Sequence, residues 1–592
     1  MDANAPVPCS TVLTKIIAVL LLLGVSACSG GNSATPTLPQ AATNPTVVAP
    51  SPKPTASGTA TAPATPAPAT SAAIAFNDYS TFGYDNERDV FNPNSTAITP
   101  ASAPAVHLAW QASLNDYNTQ TQPILATEIA GHAGVLFVGG GSGNVYAYDA
   151  LSGTLIWTTS TGQEAISGCG SGTSYWGIGG TAAYDPSSKS LYIAGNSSPA
   201  ENAYPTNSLL RLDGASGKIL GQANVAPSAV GVGESNYSHT AVTLSGGIAY
   251  IGTGSTCDIS PWRGRVVAVS VPSMVLANTF FTLWDPNNAR GAGVQAWSGG
   301  SVWGWGGVTL DLSGNVLTGV GNAVNDANRG QLQPPFVPAP LEYSGYGETL
   351  LEISPDLSTA LASSHPIAPS MYGGNSVDLD VQGTPLVFAP TGCGPMVAFQ
   401  DKAGTLSVYS ESQLSSGPAI QYAMGPSNYG GSYLGGPAYS PATGLLYADV
   451  ASSTAPSLFA PGLIAINPGC GVPSVTWHAS FGPDSSGAGI PRAVPAASSG
   501  GVVFAGTAGN NGSGGSLWMV NAATGALLNG GLPILETSGN LRMPPTIDGN
   551  WIFVLDVNGN MYGLTIDPRY KAITARLRAP NSRQRFKWAA HS

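Results

Sequence analysis

Residues 134–157 read "GVLFVGGGSGNVYAYDALSGTLIW". Val135 and Phe137, then Val145 and Ala147, alternate with other residues in the two-residue rhythm of half-buried strands. Between them, Gly141 to Asn144 form a turn of residues that tolerate positive φ. A second turn, "DALSG", precedes a third strand, "TLIW", closed by Trp157. The stretch is an antiparallel meander, and a lone meander cannot bury its faces. It needs neighbours of its own kind.

The chain supplies them. "KSLYIAGN…NSLLRLDGASGKIL" (189–220), "IAYIGTGS…RGRVVAVSVPSMVL" (248–276) and "GVVFAGTAGNNGSGGSLWMVNAATGALL" (501–528) repeat the order strand, glycine turn, strand, turn, strand. Weaker copies occupy 308–362, 386–420, 444–477 and 551–565. Repetition without helical periodicity points to a propeller of four-stranded blades around a channel. Inner strands are expected to start near 123, 179, 240, 306, 384, 435, 494 and 544, so the fold class is all-β with eight blades. The last copy lacks a Trp-bearing strand, and "AVHLAWQASL" (105–114) supplies one from the other end of the chain. Pairing 106–112 with 551–565 would close the ring and remove the sheet edges. Each blade spans about 58 residues against roughly 40–45 in WD40 blades, so the surplus belongs to loops.

The 592-residue composition agrees. Only 9% of residues are charged, while Gly (76) and Pro (48) abound, the profile of an exported, turn-rich β protein. Seven of the 20 basic residues follow Asp567 with no acid after it, leaving 13 bases against 31 acids in the body. An acidic body excludes nucleic acid as a partner. The tail, 568–592, is expected to be solvated, with anionic lipid its sharper partner.

Lys15 precedes the apolar run "IIAVLLLLGVSA" (16–27), too short for an ordinary membrane span. Its end, "VSAC", resembles the lipobox of bacterial lipoproteins, which implies a signal peptide over 1–27 and lipid on Cys28. Residues 28–75 are rich in Pro, Thr and Ala and read as a disordered stalk, leaving 76–567 for the propeller. The expected location is the cell envelope, anchored by lipid and facing the periplasm or exterior. There, Cys169, Cys257, Cys393 and Cys470 permit two disulfides in any of three pairings. No CxxCH for covalent haem occurs, and the six histidines show no zinc-ligand spacing.

The stretch 134–157 also resembles the repeat of pyrroloquinoline-quinone-type propellers, and the lead-in "DYSTFGYDNERDVFNPNSTAITPASAPAVHLAWQASL" (78–114) is similar to the start of quinoprotein dehydrogenases. The resemblance spans most of 76–567. It implies a quinone on a tryptophan platform beside a calcium ion. "WGWGGVTLDLSGNVLTGVGN" (303–322) would supply Trp305 as platform and Asn322 as calcium ligand. An aromatic face suits a flat tricyclic ring, and an oxygen ligand suits a hard cation. "NSVDLDVQGTPLVFAP" (375–390) and "FQDKAGTLSVYS" (399–410) match adjacent motifs, placing Asp378, Asp380 and Lys402 at the cofactor. "TCDISPWRGRVVAV" (256–269) makes Asp258 a further calcium candidate, one residue out of step. Where alcohol-oxidising members carry a catalytic aspartate, "EYSGYGETLL" (342–351) offers only Glu342 and Glu348, and Glu348 becomes the candidate base. The vicinal cysteine pair of many members is absent. Two functions are therefore expected to compete: a non-catalytic scaffold for envelope proteins or glycans, resembling the propeller lipoprotein of outer-membrane barrel assembly, and a quinone- and calcium-dependent dehydrogenase of a small alcohol or sugar.

Overall fold

A computed structural model describes residues 75–575, apart from 168–172, 197–206, 226–236, 256–262, 284–296, 322, 326–344, 367–380, 382, 402–404, 425–435, 451–458, 482–489, 492–494 and 509–512. The opening stretch becomes the three outer strands of blade 1, whose order from the channel outward is Ile124–Ala126, Val135–Gly139, Asn144–Asp149 and Leu155–Ser160. Seven further blades follow the same antiparallel plan. Their inner strands are Ala183–Asp185, Thr243–Ser245, Thr309–Leu310, Leu386–Phe388, Ala438–Ser440, Ala496–Ser498 and Thr546–Asp548, and in blade 7 the lead-in adds Phe91–Asn92 as a parallel strand inside Ala496–Ser498. Each inner strand begins within a few residues of its expected start. In blade 8 the outermost strand is His107–Ser113, paired antiparallel with Asn560–Thr565 from His107↔Thr565 to Ser113↔Asn560. The two ends of the domain thus close the ring in one sheet.

Eight apolar clusters hold the blades together, one at each junction. Tryptophan brackets three junctions from outside. The Trp157 indole N–H donates to Gly214 O in the outer turn of blade 2 at 3.0 Å. Trp110 reaches Ala150 O across the closure at 3.0 Å, and Trp477 reaches Ala522 O of blade 7 at 3.1 Å. Each ring lies flat on a glycine of that turn: Gly217, Gly153 and Gly525 have φ of +70°, +66° and +73°. A Cβ there would come within 2.5–2.7 Å of the indole carbons. Only glycine satisfies both the turn and the ring. At the junction of blades 3 and 4, Asn278 occupies the same strand position and makes the equivalent bond to Asp356 O at 2.7 Å.

One end of the channel is corked by the chain before blade 1. Tyr79 exchanges both backbone bonds with Leu125 of blade 1, at 2.8 and 3.0 Å. Tyr184, Leu310, Val387, Tyr439 and Ala497, each the second residue of an inner strand, donate to Ser80, Asn86, Glu87, Asp89 and Val90 at 2.8–2.9 Å. The Asn86 side chain donates to Leu244 O in blade 3, and Asn77 N–H to Asp548 in blade 8. Residues 77–92 therefore touch all eight blades. At the centre Arg88, 1% exposed, donates to Thr81, Phe82 O, Asp85 O and Thr243 Oγ1. Burial lowers its pKa to about 10. The same burial, with Glu87 nearby, pushes the Asp85 carboxyl up to about 7.

Cys393 and Cys470 form a disulfide between blades 5 and 6 on this corked end, with Cα atoms 5.2 Å apart, within the range a disulfide needs. Cys28, Cys169 and Cys257, with the signal and stalk segments, lie outside the described residues. The tail departs from its expected solvation at its first residues. Tyr570 packs edge-on against Trp551 with ring centroids 4.7 Å apart, and Ile573 N–H donates to Leu108 O. The aromatic ring gains more on the blade surface than in water, whereas Ile573 is held by its backbone and its side chain stays exposed.

Candidate functional site

Antiparallel order sends the connections between second and third strands, and those between blades, to the end opposite the cork, here called the mouth. These connections are long: 321–348 within blade 4, 282–308 from blade 3 to blade 4, and 365–385 from blade 4 to blade 5. Long loops on a rigid scaffold are where recognition is usually built.

Side chains facing the axis follow from the alternation of the inner strands. In blade 3, Thr243 meets the corking Arg88, and Ala241 shares a cluster with Phe82 of the cork and with Trp305. His239 lies four residues before Thr243, in the segment that enters this strand from the mouth. Trp305 O accepts the Ala241 N–H at 3.0 Å, so Trp303 lies mouthward of Trp305 just as His239 lies mouthward of Ala241. From the cork upward the axis is filled by Phe82, then Trp305, then a layer of four rings.

In that layer His239 is the hub. Its ring centroid is 4.5 Å from Tyr237 and 5.8 Å from both Trp176 and Trp303, in edge-to-face contacts, and Trp176 also meets Tyr237 at 5.8 Å. Tyr237 donates to Gly177 O at 2.7 Å, tying blade 3 to blade 2. Trp176 and Trp303 are half-buried, whereas Tyr237 and His239 are buried. Burial alone drives the His239 pKa down to about 3, because no carboxylate compensates the cost of an imidazolium there. The imidazole is therefore neutral. Among the described residues, His239 Nδ1, Trp303 Nε1 and Trp305 Nε1 are buried here without a hydrogen-bond partner. Each costs about 1–3 kcal/mol if left so.

This layer was not among the expected site residues. The paired tryptophans of "WGWGG" were the available signal. His239 carried none, because its partners come from three different blades.

The expected quinone residues fare differently. Trp305 is 2% exposed, packed among Phe82, Ala241, Ala438, Leu541 and Met543. A stacking platform needs a free face, and this ring has none. Glu348 has φ of +56°, and its carboxylate accepts the Val381 N–H at 2.9 Å while its carbonyl oxygen faces His365 Nδ1 at 3.0 Å. It joins blade 4 to the connection that leads into blade 5. Asp258, Asn322, Asp378, Asp380 and Lys402 lie outside the described residues. Among the described residues no group of three His, Cys, Asp or Glu side chains is placed to hold a metal ion. Of the residues expected at a quinone with calcium, the described ones are Trp305 and Glu348, and neither is placed as that role requires.

The fold is that of pyrroloquinoline-quinone-type propellers. The family described as outer membrane protein assembly factor BamB matches residues 103–273. Among solved structures, the chain is similar to quinohemoprotein alcohol dehydrogenase from Comamonas testosteroni, at 15% identity and TM-score 0.59, covering 84% of this chain and 82% of that one. A second quinohemoprotein alcohol dehydrogenase, ADHIIG from Pseudomonas putida HK5, gives 14% and 0.56, covering 85% and 81%. A europium-containing methanol dehydrogenase gives 15% and 0.54, covering 82% and 89%. No curated protein matches the sequence. Likeness at this identity establishes architecture, not chemistry.

Proposed function

We propose that the protein is an exported, lipid-anchored propeller that serves as a binding scaffold for a protein or glycan partner at the cell envelope. The observation that carries this reading is the filled axis. The ring expected to lie beneath a quinone is covered by the chain's own side chains, and the glutamate expected to act as base instead holds a neighbouring blade. The surface left for recognition is the mouth, with its long connections and its aromatic layer.

The competing reading, a dehydrogenase using pyrroloquinoline quinone and calcium with Trp305, Lys402, Asp378, Asp380, Asn322, Asp258 and Glu348, is tested by reconstitution. Purified protein mixed with the quinone and Ca²⁺ should show no saturable absorbance change and no dye-linked oxidation of alcohols or sugars. Quinone-dependent turnover would overturn the scaffold reading.

A further inference from the structure

We infer that the aromatic layer at the mouth is a binding site for an uncharged carbohydrate, an inference that rests on the scaffold reading and names the ligand for its recognition face. Three properties of the layer select this chemistry. The half-buried rings of Trp176 and Trp303 flank His239 and can offer flat apolar faces to the C–H side of a sugar ring. Among the described residues, Trp303 Nε1 and His239 Nδ1 are buried without partners. Indole N–H groups only donate, so the missing partner must bring oxygen lone pairs. Finally, His239 is neutral and the other ring systems carry no charge, so among the described residues of the layer a charged ligand would find no counter-charge. Hydroxyl oxygens on a ring with apolar C–H faces satisfy all three conditions.

Packing alone would explain the rings but not the orphaned nitrogens. Buried polar atoms are nearly always paired. Here the unpaired ones belong to neighbouring axis-facing residues of blades 3 and 4, at the end of the channel that the cork leaves to the loops.

The test uses the full chain and four neutral probes: maltohexaose, cellohexaose, laminarihexaose and N-acetylchitohexaose, with hexagalacturonate as the charged comparison. Binding is read by calorimetry and by indole fluorescence. At least one neutral hexasaccharide should bind saturably and the charged one should not. Trp303→Ala should weaken binding at least tenfold. Trp303→Phe keeps a ring, removes the indole N–H and should weaken it by roughly two- to tenfold, the worth of one hydrogen bond. It decides the matter if the alanine variant does not fold. Absence of binding by all four neutral probes, or binding indifferent to both substitutions, overturns the inference. Loss of the scaffold reading would look different: quinone-dependent turnover, with sugar binding at the layer unaffected.

Discussion

Asp116 shows how one residue can complete another residue's turn. In blade 8 the turn 556–559 is organised by its own aspartate. Asp556 accepts from Asn558 N–H, Asn560 N–H and Tyr562 Oη at 2.9–3.0 Å. The matching turn of blade 1 has glycine there. Gly140 makes the same backbone bonds, Gly140 N–H to Asn144 O and Gly143 N–H to Gly140 O, but has no carboxylate. Asp116, just beyond the closing strand, inserts its own: it accepts from Ser142 N–H at 2.8 Å and Tyr146 Oη at 2.7 Å, and also from the Ser142 hydroxyl. A Cβ on Gly140 would stand 2.0 Å from Asp116 Oδ2. The two positions are thus alternatives. Asp116→Ala should cost about 2–4 kcal/mol in urea unfolding, because buried donors lose their acceptor. Gly140→Asp should destabilise the natural protein yet restore stability in the Asp116→Ala background. Additive losses in the double variant would refute the exchange.

Among the elements, the closing strand and the brackets explain what could be read in advance. Trp157 and Gly217 stand one repeat apart, and the indole-on-glycine contact imposes both residue types, so the repeat advertises itself. The inner-strand starts were visible because strand, turn and strand recur with the same apolar beat. The cork was not visible. Its bonds to six of the blades run between backbone groups, which leave no residue pattern. The layer around His239 was hidden for a related reason: its members are adjacent only once blades 2, 3 and 4 stand side by side. Deleting 105–114 removes the outer strand of blade 8, the Trp110 bracket and the link to Asp116. The expected product is aggregated protein in size-exclusion chromatography, since an unpaired central edge invites intermolecular pairing. A soluble deletion that melts like the full chain would show that the ring closes otherwise.

For the whole molecule, acid sensitivity follows from the neutral layer. In the unfolded chain His239 takes a proton near pH 6.5, while in the fold it resists protonation until about pH 3. Above 6.5 both states are neutral and pH has no effect through this residue. As pH falls from 6.5 towards 3, the unfolded state alone binds the proton and stability drops, by up to about 1.4 kcal/mol per pH unit. His239→Gln should flatten the stability profile between pH 6 and 4 by that slope. A profile parallel to the natural protein's would place the acid sensitivity elsewhere. Anchoring belongs to this scale as well. Cys28→Ser should move the protein from the membrane to the soluble fraction in detergent partitioning, and retention at the membrane would require another anchor.

The cork carries a consequence for biosynthesis. Residues 77–92 and the closing strand are translated before any blade, yet their partners extend to the last strand, near residue 565. During synthesis these segments wait, unpaired, until the end of the chain arrives. Contacts so distant in sequence make folding slow, and a strand left open meanwhile is exposed to mispairing. The ring is therefore sealed by its oldest residues, and a chain cut short before blade 8 is left with both its lock and its stopper unused. Truncated chains of this kind are natural substrates for chaperones and proteases.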